Sequence, residues 1–241
     1  PLFLCAWPVD PHRPPKPQPQ YRDAVIELPP PGPATAESDY SDKPRKMQRN
    51  RPLPARKLAA VRKEQAEAAR ALLGVDDGIA ALIDALKATG RWENTVLVFA
   101  GDHGYMWGEH GLARSKDNPY RESVYYPFLI RDPALAGSGN RDETRMVGNI
   151  DIAPTLADLA GVTPGAAVDG RSLLPLMRGE GADWREEYLI EKPTATTKDT
   201  GTFRGVYSAV GGGPFTYVLH DTGEEELYDL AADPHQMESV H

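Results

Sequence analysis

A helix-length apolar stripe running straight into a strand-like apolar run constrains this chain more than any other feature. Leu58, Val61, Ala68, Leu72, Val75, Ile79, Leu82 and Leu86 fall at spacings of three, four or seven. That is the period of one helix face, so the spacing predicts a helix from Arg56 to about Ala88. Gly74 and Gly78 are its weak points, and Thr89-Gly90 is its stop, glycine being the residue that best adopts a left-handed cap. Thr95-Val96-Leu97-Val98-Phe99-Ala100 follows as a continuous, β-branched run, the pattern of a strand buried on both faces. A long helix leading into such a strand predicts a crossover onto a largely parallel sheet, and hence an α/β fold.

On either side of this pair the pattern is different. Pro1-Leu2-Phe3-Leu4-Cys5-Ala6-Trp7 reads as a buried strand. Residues 8–55 are dense in proline, which can neither donate to a ladder nor sit inside a helix, so they read as one long loop. Such a loop is either a binding element draped over a surface or a slack linker. Phe128-Leu129-Ile130 predicts a second strand, and Asp151 to Gly161 a short helix with Asp151 as N-cap. Beyond residue 180 come four short strands, Tyr188–Glu191, Val206–Val210, Phe215–Leu219 and Glu226–Leu230. Turns at Gly211-Gly212-Gly213 and Asp221-Thr222-Gly223 separate the last three. We therefore expect residues 1–180 to form the α/β part and residues 181–241 a small antiparallel sheet. The non-Met start and the unterminated Glu238-Ser239-Val240-His241 suggest a piece of a longer protein.

The net charge of −8 argues against nucleic acid or an anionic membrane as partner, since no general positive field exists to hold a polyanion. A single Cys excludes an intrachain disulfide and a cysteine-built zinc site. No apolar run approaches the roughly 18 residues of a membrane span.

The chemistry concentrates directly after the predicted strand, in Gly101-Asp102-His103-Gly104. In open α/β sheets ligands bind outside the carboxyl ends of strands. A carboxylate and an imidazole presented there suit a divalent cation, although two ligands do not complete a shell. From spacing alone, a strand-ending turn with a solvated Asp and a packed His explains the same residues.

Several separated motifs resemble the sulfatase family, part of the alkaline-phosphatase-like superfamily. They are Asn94 to Gly104, Gly108-Glu109-His110-Gly111, and Lys116 with Pro119-Tyr120-Arg121-Glu122-Ser123 and Pro127. Pro8-Val9-Asp10-Pro11-His12-Arg13-Pro14 is similar to the family's strand-then-His segment, and Asn149-Ile150-Asp151-Ile152-Ala153-Pro154-Thr155 to its "DLAPT" helix. Asp169-Gly170-Arg171-Ser172-Leu173 resembles its "DGxSL" turn, and Glu226 to Leu230 its closing hairpin. Ser38-Asp39-Tyr40-Ser41-Asp42-Lys43-Pro44 and its proline-rich flank look most like the glucosamine-6-sulfatase branch. Asp102-His103 is instead closer to the iduronate-sulfatase pattern.

The resemblance implies a partial alkaline-phosphatase-like, mostly parallel sheet with flanking helices, followed by the small antiparallel sheet. It implies that Asp102 and His103 ligate one divalent cation, usually calcium. Lys116 would contact the sulfate and its leaving oxygen, His12 would donate to the sulfate or protonate the leaving alkoxide, and His110 would lie at or just behind the substrate. The family's nucleophile is a formylglycine made from the Cys or Ser of a C/S-x-P-x-R motif. Cys5 is followed by Ala6-Trp7-Pro8, and no Ser heads the motif. The implied activity is hydrolysis of a sulfated sugar or aryl ester, with this chain inert by itself. The competing expectations are a phosphonate or phosphate ester hydrolase of the same superfamily, and a binding protein that kept the fold without the nucleophile.

Overall fold

A computed structural model of the 241-residue chain describes residues 2–181, 183–194, 201–211 and 213–241. The apolar stripe forms helix α1, Ala55–Ala88. Pro54 precedes it in extended backbone, and Gly90 ends it at φ 67°. The proline-rich loop lies along this helix, so it is an ordered cover and not a slack linker. Tyr21 donates to Asp77 at 2.7 Å, and Arg70 donates to the Ala24 carbonyl at 2.7 Å. At Gly74 a Cβ would stand 2.8 Å from the Gln18 amide nitrogen, so the residue that weakens the helix is the one that lets the loop approach.

Strand β1, Leu97–Ala100, follows α1 and pairs antiparallel with β4, Phe128–Arg131, in register Leu97↔Arg131 to Ala100↔Phe128. The α/β class holds, but two expectations about this strand do not. Among the described residues its ladder is antiparallel, and all four of its residues are only half-buried. The reason lies upstream. A parallel crossover needs a strand before the helix, and residues 2–9 form none. Phe3 is 76% and Trp7 85% exposed, because an apolar run without a ladder partner or a covering layer has nothing to be buried against. Pro1 of that predicted strand lies outside the described residues.

Between β1 and β4 the chain makes a hairpin, β2 (Met106–Trp107) with β3 (Ala113–Ser115), and one helical turn, α2 (Arg121–Val124). Helix α3, Ile152–Leu159, stops at Gly161 with φ 66°. Asp151 precedes it but does not cap it with its side chain. Its buried carboxylate accepts instead from the Gly148 amide at 3.0 Å, the Arg171 amide at 2.8 Å and both Arg185 terminal nitrogens at 2.6 Å. A buried charge needs that many donors, and a cap supplies fewer. A further turn, α4, spans Leu174–Met177.

The chain closes with the expected antiparallel sheet. Its strands are β5 (Glu187–Lys192), β6 (Phe203–Ser208), β7 (Phe215–His220) and β8 (Glu225–Asp229), in that order. Inward and outward residues alternate along β6, β7 and β8, the period-2 signature that made them readable. Gly223 at φ 79° turns β7 into β8, while Gly212 of the other predicted turn lies outside the described residues. Tyr228 of this sheet shares a core with Met47, Met106, Leu112 and Tyr120, which packs the sheet onto the loop and hairpin. Among the described residues no helix is long and apolar enough to cross a membrane.

Candidate active site

The backbone after β1 is laid tightly on the segment entering β4. Gly101 donates to the Pro127 carbonyl at 2.9 Å, and Gly104 to that of Ser123 at 2.8 Å. A Cβ on Gly104 would sit 2.1 Å from the Glu122 carbonyl oxygen. No side chain fits there, which is the steric reason for the second glycine around Asp102 and His103.

Those two residues and Lys116 come together. His103 donates from Nδ1 to the Gly104 carbonyl at 2.7 Å, which leaves a lone pair on Nε2. Lys116 Nζ donates to that Nε2 at 2.9 Å, and Asp102 Oδ2 lies 3.5 Å from it. Asp102 Oδ1 accepts from the His103 amide at 3.1 Å, and the side chain is 89% exposed. The hairpin makes the encounter: with Met106 opposite Ser115, residues just before β2 face residues just after β3. Asp117, at φ 64°, then turns the chain sharply behind Lys116. Buried Asn118 holds that turn, donating to the Lys116 carbonyl and to Ser115 Oγ at 3.0 Å each. Sequence reasoning passed over Asn118, although an Asp-Asn pair directly after the key lysine is a turn signal.

His12 lies in an exposed turn. Its amide donates to the Val9 carbonyl at 2.9 Å and its Nδ1 to the Arg13 carbonyl at 3.0 Å. These contacts fix the ring on its own loop, and none of them joins it to Lys116.

His110 is packed inside the fold, as a structural histidine would be. It is fully buried, with Nδ1 2.7 Å from Glu37 Oε2 and its ring stacked on Tyr120 at 4.1 Å. Its own backbone is left-handed at φ 53°. A ring enclosed in this way cannot meet an ester from solvent, and it anchors the 109–111 turn to the proline-rich loop. Lys43 completes the pair, 3.2 Å from Glu37 Oε1 and 2.8 Å from Asp42. Burial and the Glu226 carboxylate raise the Tyr120 hydroxyl well above its ordinary range, so it stays a neutral donor to Glu226 at 3.1 Å.

The donor chemistry fits one side of a divalent cation's shell, an imidazole lone pair beside an exposed carboxylate. Among the described residues no group of three or more His, Cys, Asp or Glu could hold a metal ion. Two such donors do not complete a cation's shell, and the Lys116 ammonium and a cation on the same Nε2 lone pair exclude one another.

The sequence profile described as "Sulfatase" matches residues 1–162. This chain belongs to the sulfatase family. A second profile, "N-sulphoglucosamine sulphohydrolase, C-terminal", matches residues 108–241 of the sulfatase chain. The N-acetylglucosamine-6-O-sulfatase of Bacteroides thetaiotaomicron is 31% identical over 177 residues, covering 70% of this chain and 30% of the relative. The N-acetylglucosamine-6-sulfatase of Homo sapiens is 36% identical over 122 residues, covering 50% and 22%. Among solved structures, a protein in complex with its substrate D-glucosamine-2-N,6-O-disulfate superposes with a TM-score of 0.66 at 29% identity, covering 75% of this chain and 36% of that one. The phosphonate monoester hydrolase of Agrobacterium radiobacter superposes at 0.64, also at 29% identity, covering 75% and 37%. The sulfatase chain thus spans between 22% and 37% of these relatives' own lengths.

Proposed function

We propose that this sulfatase chain supplies the cation and leaving-group side of a site that hydrolyses sulfate esters of a 6-sulfated glucosamine or a related sugar. The convergence of Lys116 Nζ and Asp102 Oδ2 on His103 Nε2, at 2.9 and 3.5 Å just beyond β1, carries the reading. The names of the relatives support the sugar class. As the S–O bond breaks, negative charge gathers on the leaving oxygen, and the Lys116 ammonium is placed to stabilise it. His12 is the proposed proton donor to that oxygen. Bound by Asp102 and His103, a divalent cation, calcium by family resemblance, would neutralise charge on the sulfate oxygens. The formylglycine expected as nucleophile has no precursor motif in these 241 residues. We therefore expect turnover only from a polypeptide that joins them to a segment carrying one.

The likeness to a phosphonate monoester hydrolase sets the competing reading. Rates on glucosamine 6-sulfate and on a phosphonate monoester, measured side by side in such a joined polypeptide, decide between them. The sulfate ester is expected to be the faster substrate. Lys116→Ala is expected to lower kcat on it by about 10²–10³-fold, the usual loss for one transition-state donor. A faster phosphonate reaction, or an unchanged kcat in Lys116→Ala, would overturn the proposal.

A further inference from the structure

Glu64, in the first half of α1, holds two guanidinium groups, one from the loop before the helix and one from β3. Arg114 Nε donates to its Oε2 at 2.5 Å, and Arg13 Nε pairs with its Oε1. The two partners have telling neighbours. Arg13 directly follows His12, and Arg114 is two residues before Lys116. One helix carboxylate therefore ties the segment of His12 to that of Lys116, and Lys116 in turn donates to His103.

Ordinary surface ion pairs contribute little, because water screens them and the side chains must be ordered. This one differs in two ways. The Glu64 side chain is only 15% exposed and serves two cations at once. Arg114 also holds a left-handed backbone, φ 59°, which non-glycine residues avoid, so its conformation depends on what grips its side chain. The helix is a rigid base for such a grip, whereas the 10–14 turn has no ladder of its own.

We propose that Glu64 is a positioning residue, which sets the His12 turn against the His103 and Lys116 hairpin. The idea rests on the sulfate-ester reading for its meaning but not for its test. The 241-residue chain is compared with its Glu64→Gln variant by two methods: imidazole nitrogen spectra with the six histidines assigned, and amide hydrogen exchange. The expected result is that the His12 and His103 signals shift together while His110 and His220 stay in place. Amides at 114–117 should exchange at least about tenfold faster, with those of α1 unchanged. A response from only one of His12 and His103, from neither, or from all six histidines alike would overturn the proposal. Arg13→Gln, at a half-exposed position, keeps the matter decidable if Glu64→Gln does not fold. It should shift His12 and leave exchange at 114–117 as it was, and faster exchange there would count against the clamp. Neither readout needs turnover. A chain that fails as a sulfatase leaves this test intact, and a failed clamp leaves the sulfate-ester reading intact.

Discussion

Glu109 accepts the Trp107 amide at 2.6 Å from a half-buried position in the hairpin. Burial raises its carboxyl above the ordinary value of 4.5, more than the hydrogen bond lowers it. The native state therefore holds this proton more tightly than the unfolded chain does. Its contribution is fully present below 4.5 and is lost as pH rises through the higher native value. Glu109→Gln keeps an acceptor for Trp107 and removes the titration. Urea unfolding from about pH 4 to 7 should show a smaller fall in stability for the variant than for the parent chain. Equal slopes would mean that the carboxyl does not feel its burial. At this scale the sequence was legible where a local rule applied. Gly101 and Gly104 marked Asp102-His103 because close backbone approach demands them. The His110 pairing was not legible because Glu37 stands 73 residues away, and no spacing encodes it. Glu64 escaped for the same reason, since its guanidinium partners are 50 and 51 residues distant in opposite directions.

The elements that carried a strong period appeared close to where the pattern put them. Helix α1 begins one residue before the predicted start, and β5 to β8 differ from expectation by only a few residues at their ends. What the pattern could not supply was the direction of a partner. An apolar run such as Leu97–Ala100 reads identically in a parallel and an antiparallel ladder, and only the 101–127 excursion decides that β4 returns alongside it. That excursion depends on Gly104. Its Cβ would meet the Glu122 carbonyl at 2.1 Å and the Tyr125 carbonyl at 2.5 Å, both backbone atoms that cannot swing aside. Gly104→Ala is expected to cost about 1–3 kcal/mol, the range for forced overpacking. It should also separate His103 from Lys116. Thermal unfolding reads the first effect and the His103 ring signal the second; an unperturbed ring signal would show that α2 can give way.

For the molecule as a whole, the buried polar groups join parts that chain order keeps apart. Lys43 pairs with Glu37 and Asp42 and donates to the Met237 carbonyl at 2.7 Å, 194 residues away. Beside it, Glu226 accepts from Tyr120 and Tyr228 and lies 2.7 Å from His220 Nε2. Lys43→Met leaves Glu37 buried with one cation fewer, a change expected to cost about 3–5 kcal/mol. That is a large share of the roughly 5–15 kcal/mol that holds a domain together. Adding Glu37→Gln should recover part of the loss. A urea midpoint that hardly moves in the single variant would show that water reaches the site. The proline-rich loop was legible as a loop from its composition, but not as the strap that seats the closing sheet, because its anchors are single residues without a period.

The Lys43 to Met237 contact also says something about birth order. While the chain is being made, the ammonium waits in water for a carbonyl that emerges 194 residues later. Lys43 also pairs with Glu37, and Glu37 with His110, so that corner of the fold closes only after residue 237 has left the ribosome.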